Sequence, residues 1–427
     1  MNDNILEIAK KIENAGGRLY LVGGAIRDKL LNKKVKDEDY CVVGITPKEF
    51  KNLFPQSFPR GKSFEVFDLE GKEFAMARTE RKTGVGHKEF EITTNKNITI
   101  EQDLARRDIT INSMAQDVLT GELIDPFNGK QDIKNGIIRA TTEHFLEDPL
   151  RVYRVARFAT TLNFDVDKTT LKMMNTLKDE LNTLSEERVF IEFSKALSDK
   201  KPSTFFQVLK EADVLEVHFK EIYDLIGALQ PPEHHPEGDS FNHTMMVVDK
   251  ASELTDNLEI RFSALVHDLG KGLTPKEEYP HHYGHEINGV DLVVKFGNRI
   301  KAPTRWIQSG KIACREHMKG GIFYKMKPSK KVEFIERVAK SSLGLHGLQI
   351  VVYADKLSSR NVDSVSIDFE SIGKECLEAV NGEFIKNKYN IQEGIEFGNR
   401  LHQERIEWMK KFAYSKVFKL KVKNINF

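Results

Sequence analysis

The sequence predicts a mixed α/β head over about the first 140 residues, followed by helical regions to the end of the chain. Short apolar runs that end in glycine or polar turns fill the first third. Helical spacing dominates after Pro149. A Pro-His-rich connector, QPPEHHPEGDS at 230–240, then separates one helical region from the next.

At the N-terminus, Ile5, Leu6, Ile8, Ala9 and Ile12 fall on one face of a helix. The stretch lacks a basic start and a long apolar core, so it does not read as a signal peptide. RLYLVGG at 18–24 predicts a buried strand running into a turn, and AIRDKLLN a helix opening behind the glycines. VKDEDYCVV at 35–43 predicts a second strand. Further strand-like runs occur near 64–69, 73–78 and 90–94, with a glycine-containing loop from Lys82 to Lys88. The expected divisions are a head over 1–140, a helical neck over 141–229, a helical domain over 230–362 and a helical tail over 363–427.

Of the 427 residues, 40% are hydrophobic and 30% charged, as in a soluble globular protein of several domains. No apolar run approaches the ~20 residues that span a bilayer, so no membrane partner is expected. The three cysteines, at 41, 314 and 376, lack pair spacing, which argues against a disulfide framework and fits a cytoplasmic protein. Basic and acidic residues balance at 65 and 64, so any nucleic-acid surface must be a local patch. The lysines at 410, 411, 416, 419, 421 and 423 form such a patch or a solvated tail. Lys325, Lys327, Lys330 and Lys331 are further candidates.

Chemistry concentrates first at Asp37 and Asp39. In a strand, their spacing points both carboxylates to one face. Carboxylates so placed repel unless a cation sits between them, and Mg²⁺ shared with substrate phosphates suits them. Gly23 and Gly24 let backbone amides approach a phosphate, and Arg27 on the following helix can reach the same anion. Taken alone, D-x-D is weak, and an exposed strand face or turn is its commoner explanation. The ordered combination G-G-x-x-R-D and then D-x-D is far more specific.

LVGGAIRD followed by KDEDY resembles the first motif of the class II tRNA nucleotidyltransferases and bacterial poly(A) polymerases. ARRDITIN at 105–112, IDPFNGKQDI at 124–133, EDPLRVYRVARF at 147–158 and SEERVFIE at 185–192 resemble later motifs of that family, in order. The nearest resemblance is to bacterial CCA-adding enzymes that carry an HD phosphohydrolase domain. It implies a nucleotidyltransferase head with catalytic Asp37 and Asp39 and Mg²⁺, incoming CTP and ATP, and the 3′ end of tRNA as acceptor. It also implies that protein side chains choose the base.

A physical account of that choice lies in Asp148 and Arg151, three apart at a helix start. The aspartate can accept from the exocyclic amine of cytosine or adenine, and the arginine can donate to the neighbouring ring acceptors. Uracil and guanine would set a carbonyl against the carboxylate. Asp148 before Pro149 also reads as a helix cap, which does not exclude the other role. Arg154 and Arg157 continue a stripe that is either a solvated face or, opposite a triphosphate, a clamp. The resemblance implies the clamp, and Arg107 is expected to reach the nucleotide with Gly24 and Arg27. Asp108 suits either a ribose hydroxyl or an arginine. The basic loop at 78–90 suits closure over substrate or an ordinary hairpin.

A second signal is ALVHDLGKG at 264–272, where His267 and Asp268 resemble the core of HD phosphohydrolases. The same resemblance places His243 and Asp355 as further metal ligands, with His285 and His317 as additional candidates. His234 and His235 look incidental to the connector. The implied activity is hydrolysis of phosphate esters with a divalent transition metal, nickel among those favoured by related enzymes. Three alternatives stay open: a poly(A) polymerase on the same head, an enzyme adding only CC or only A, and an HD phosphodiesterase whose head merely binds nucleotide. The HD set and the short tail favour CCA addition, by a monomer or a homodimer.

Overall fold

The computed structural model describes residues 3–35, 37–60, 66–82, 90–233, 235–359 and 368–414. The expected loop before Lys88, His234 and the lysines at 416–423 lie outside the described residues. The chain forms two compact units. Met1–Ala196 with Gln207–Val217 make the first, and Leu197–Phe206 with His218–Phe427 the second.

The first unit is built on strands β1 (Arg18–Val22), β2 (Asp39–Val43), β3 (Phe58–Arg60), β4 (Val66–Leu69), β5 (Lys72–Met76), β6 (Thr79–Lys82), β7 (Phe90–Thr93), β8 (Ala115–Asp117) and β9 (Leu123–Ile124). Seven of them form one sheet in the order β3-β4-β5-β2-β1-β8-β9, while β6 and β7 pair separately. The sheet is mixed, because β2 runs parallel to β5 and antiparallel to β1. Alternation along the central strands sends side chains into two cores. Leu19, Leu21, Tyr40 and Val42 join Ile5, Ile8 and Ile12 of the helix Asp3–Asn14 on one face. Tyr20, Val22 and Cys41 join Ile100 and Leu104 of the helix Ile100–Ala105 on the other.

The strand expected over 35–43 is corrected by the structure: β2 begins at Asp39, so Asp37 stands just ahead of it. The reason is the end of its neighbours. Asp39 pairs with Val22, the last residue of β1, and with Glu73 near the start of β5. Ahead of Asp39, β1 has no residue left to pair and β5 only Lys72, so little holds the chain extended. The sequence reading also missed β3, β6, β8 and β9. These strands are only two to four residues long, too short for alternation to register.

Helices follow, led by Leu150–Leu162, whose Val152, Tyr153, Val155, Ala156 and Ala159 are fully buried. In the second unit, helices Ser240–Leu254, Leu258–Val266, Thr304–Gly321 and Gly344–Ser358 pack around one core that reaches Phe369, Ile406 and Met409. Gly270 permits a close contact between two segments of this unit. A side chain there would lie 2.0 Å from the carbonyl of His285, so only glycine lets the turn after Asp268 press against that helix start. Among the described residues no helix is long and apolar enough to cross a membrane. All three cysteines are buried and unpaired.

Candidate functional site

In the first unit, Asp37, Glu38, Asp39, Arg60, Lys72 and Glu73 line a cavity of about 680 Å³. Burial, Glu73 and Asp37 together raise the pKa of Asp39 above its usual value, against the pull of Arg107. Crowded acids of this kind favour a cation between them. Glu38 is drawn away by Lys72, whose Nζ lies 2.6 Å from its carboxylate.

Gly23 holds φ +71° and ψ −133°, a region left almost entirely to glycine. A Cβ there would meet the Arg107 guanidinium at 3.0 Å, and one at Gly24 would meet that of Arg27 at 3.4 Å. The two bare positions therefore leave room for two cations beside the turn. Arg27 donates to Asn112 Oδ1 at 2.7 Å, and Arg107 reaches Asp103 at 3.1 Å while its buried Nε has no partner. Arg27, Arg154 and Arg157 gather over the ring of Phe158, at 5.2, 5.6 and 3.9 Å from its centroid.

The motif segments interlock. Arg154 pairs with Asp108 at 2.7 Å, Arg157 with Glu192, and Arg188 approaches Asp148 at 3.6 Å. Burial alone would raise the Asp108 pKa, but the Arg154 charge and its hydrogen bonds bring it down to about 2. Asp108 thus takes the arginine of the two partners its sequence allowed. Asp125 accepts from the amides of Gly129 and Lys130, and Asp132 from Thr110 and Arg139, so IDPFNGKQDI ties the chain rather than lining the cavity. Asp148 accepts from the Leu150 amide at 3.0 Å, as a helix cap does. Arg151, expected beside Asp148 on the same helix face, is engaged with the backbone. It is buried and donates to the carbonyls of His144 and Arg106.

The second unit gathers six donors. His267 Nε2 lies 3.2 Å from Asp268 Oδ2, and His285 and His317 lie 3.2 and 3.3 Å from Asp268 Oδ1. His243 Nε2 is 3.0 Å from Asp355. Three groups have metal-ligand spacing: His267–Asp268–His317 and His243–His267–Asp355 share His267, and the latter shares His243 with His235–Glu237–His243. His267 Nε2 and Asp268 Oδ1 are buried without a hydrogen-bond partner, as atoms awaiting a cation would be. Burial opposes charge on both aspartates, yet the surrounding histidines, joined at Asp268 by the Lys271 ammonium 2.6 Å away, hold both well below the carboxylate range. Burial would likewise lower the His243 pKa, but bonds to Asp355 and Glu237 carry it up to about 9.

Residues 19–139 match the poly A polymerase head domain, 163–225 the probable RNA and SrmB-binding site of polymerase A, and 240–359 the HD domain. The multifunctional CCA protein of Mannheimia succiniciproducens is 44% identical over 331 residues, which cover 75% of this chain and 78% of the relative. That of Hahella chejuensis is 47% identical over 306 residues, covering 70% and 72%.

The chain belongs to the multifunctional CCA protein family.

Its fold agrees. A CCA-adding enzyme in complex with ATP superimposes with a TM-score of 0.66 at 22% identity, over 99% of this chain and 93% of that one. The Thermotoga maritima CCA-adding enzyme complexed with tRNA-CCA gives 0.65 at 20% identity, over 99% and 96%. Against this multifunctional CCA fold, the sequence reading had missed Glu237, whose carboxylate lies 2.8 Å from His243, and His235, which shares it. The prolines around them concealed both as linker. Phe158 was likewise hidden, as one more apolar residue on a buried helix.

Proposed function

We propose that this member of the multifunctional CCA proteins adds C, C and A to the 3′ end of tRNA from CTP and ATP, in the cytoplasm. The observation that carries this reading is the pairing of a crowded carboxylate site at Asp37 and Asp39 with an arginine bank in the same compact unit. The raised Asp39 pKa supports Mg²⁺ as the occupant. When bound, Mg²⁺ would lower the barrier to attack by the tRNA hydroxyl and steady the departing pyrophosphate.

The chain's own residues orient the nucleotide. Arg27 and Arg107, beside the bare Gly23–Gly24 turn, would hold phosphate oxygens, and Arg154 and Arg157 would complete the clamp. Asp108 keeps Arg154 in place. Asp148 would accept from the exocyclic amine of the base. For Arg151 to read the ring acceptor beside it, its carbonyl partners must be exchanged on nucleotide binding. In this reading 1–140 carries transfer, 141–229 selects the base, 230–362 carries a second chemistry, and the tail over 363–427 supports it.

That second chemistry is hydrolysis of phosphate esters. His243, His267, Asp268, His285, His317 and Asp355 would hold a divalent transition metal, for which nickel suits the imidazole-rich set. The metal would supply Lewis acidity toward a phosphoryl oxygen.

The test is incorporation of labelled CTP and ATP, singly and together, on tRNA lacking CCA, with Asp37→Ala/Asp39→Ala as control. Two C and one A, absent in the double variant, is the expected result. Long A tails from ATP alone, or C-only or A-only addition, would overturn it.

A further inference from the structure

Each of four histidines at the second site presents one ring nitrogen inward. For three of them the backbone makes the choice. Nδ1 of His267, His285 and His317 lies 2.7, 2.7 and 2.8 Å from the carbonyls of Ala264, His282 and Cys314. A carbonyl only accepts, so Nδ1 carries the hydrogen and the Nε2 lone pair faces the cluster.

His243 is held differently. Its Nδ1 lies 2.8 Å from Glu237 Oε1, a charged acceptor, while Nε2 lies 3.0 Å from Asp355. The His243 side chain is fully buried and that of Glu237 is 6% exposed. His235 bonds the same oxygen at 2.9 Å, and Glu237 Oε2 is buried with no partner. So much buried acid beside one imidazole is costly unless it serves that ring. A carboxylate on the outer nitrogen of a metal-binding histidine fixes its tautomer and makes the inner nitrogen a stronger donor.

We propose that Glu237 is a positioning residue that fixes His243 and strengthens its Nε2 as a ligand for the divalent cation of the second site, with His235 steadying the carboxylate. This rests on the reading of that cluster as a metal centre.

The experiment titrates the full-length, chelator-stripped protein with Ni²⁺ by calorimetry, for wild type, Asp268→Ala, Glu237→Gln, Glu237→Ala and His235→Ala. Thermal unfolding of each metal-free protein runs alongside. Glu237→Gln keeps an acceptor for His243 but removes the charge, and it remains informative if Glu237→Ala folds poorly. The expected result is about tenfold weaker binding for Glu237→Gln and about a hundredfold for Glu237→Ala. Metal-free melting of Glu237→Gln should stay close to wild type, and nickel-edge absorption of Glu237→Ala should lose one imidazole.

Wild-type affinity in both Glu237 variants, with binding abolished in Asp268→Ala, overturns the inference and leaves the metal centre standing. A second bound ion lost in His235→Ala also overturns it, making Glu237 a ligand. No nickel binding by wild type, or unchanged binding by Asp268→Ala, overturns the metal centre and the inference with it.

Discussion

At the scale of single residues, the Asp108–Arg154 pair shows how the first unit uses charge. Asp108 is 7% exposed and its pKa is held at about 2 by Arg154. An acid with a depressed folded pKa stabilises the fold above its unfolded value, near 4, and that contribution is lost as pH falls through about 2. The shift corresponds to roughly 2 kcal/mol, and less once solvent at the partly exposed Arg154 is counted. A ¹³C carboxyl titration should place the Asp108 midpoint near 2, and a midpoint near 4 would refute the pairing. Asp108→Asn should also raise the KM for CTP and ATP together, because it frees a clamp residue without touching base choice. The R-R-D motif announced this acid, but its partner lies 46 residues away and only folding selects it. Arg151 shows the limit of such reading. Helical spacing set it beside Asp148, but only the fold shows that the carbonyls of His144 and Arg106 hold its guanidinium until a nucleotide exchanges them.

At the scale of elements, the β1–turn–helix unit was legible because glycine has a strong local signature. Where β2 begins was not, since neighbouring strand ends decide it. Gly23 sits where other residues pay roughly 1–3 kcal/mol of backbone strain. Gly23→Ala should therefore lower the melting temperature and, by pushing Arg107, weaken nucleotide binding. Normal KM values in a destabilised Gly23→Ala protein would show that the glycine serves the turn alone. On the helix Leu150–Leu162, Phe158 offers its ring to three guanidiniums, each contact worth ~0.5–1 kcal/mol. Phe158→Leu should raise the KM for both nucleotides about tenfold with little change in kcat. Phe158→Tyr should restore it. A fall in kcat alone would place the ring in a different role. The connector at 230–240 shows the converse error. Its prolines and glycine hid the Glu237–His243 contact, because composition reports flexibility and not what a side chain meets.

At the scale of the whole molecule, the two chemistries draw on separate compact units. The carboxylate cavity and arginine bank lie within Met1–Ala196, and the histidine–aspartate cluster within His218–Phe427. No residue of either set belongs to the other. Each unit also has its own buried core, so a surface-lined substitution at one site does not remove packing from the other. The expected outcome is a double dissociation. Asp37→Ala/Asp39→Ala removes the carboxylates that hold Mg²⁺ and should cut nucleotide incorporation by about a thousandfold or more, while phosphate-ester hydrolysis persists. Asp268→Ala removes the acid that meets four of the histidines within 4 Å and should abolish hydrolysis while incorporation persists. Chelation should mirror this, with Mg²⁺ restoring only incorporation and Ni²⁺ restoring hydrolysis. Loss of both activities in either variant, at unchanged melting temperature, would mean that one site depends on the other. The two units would then have to be treated as one catalytic body.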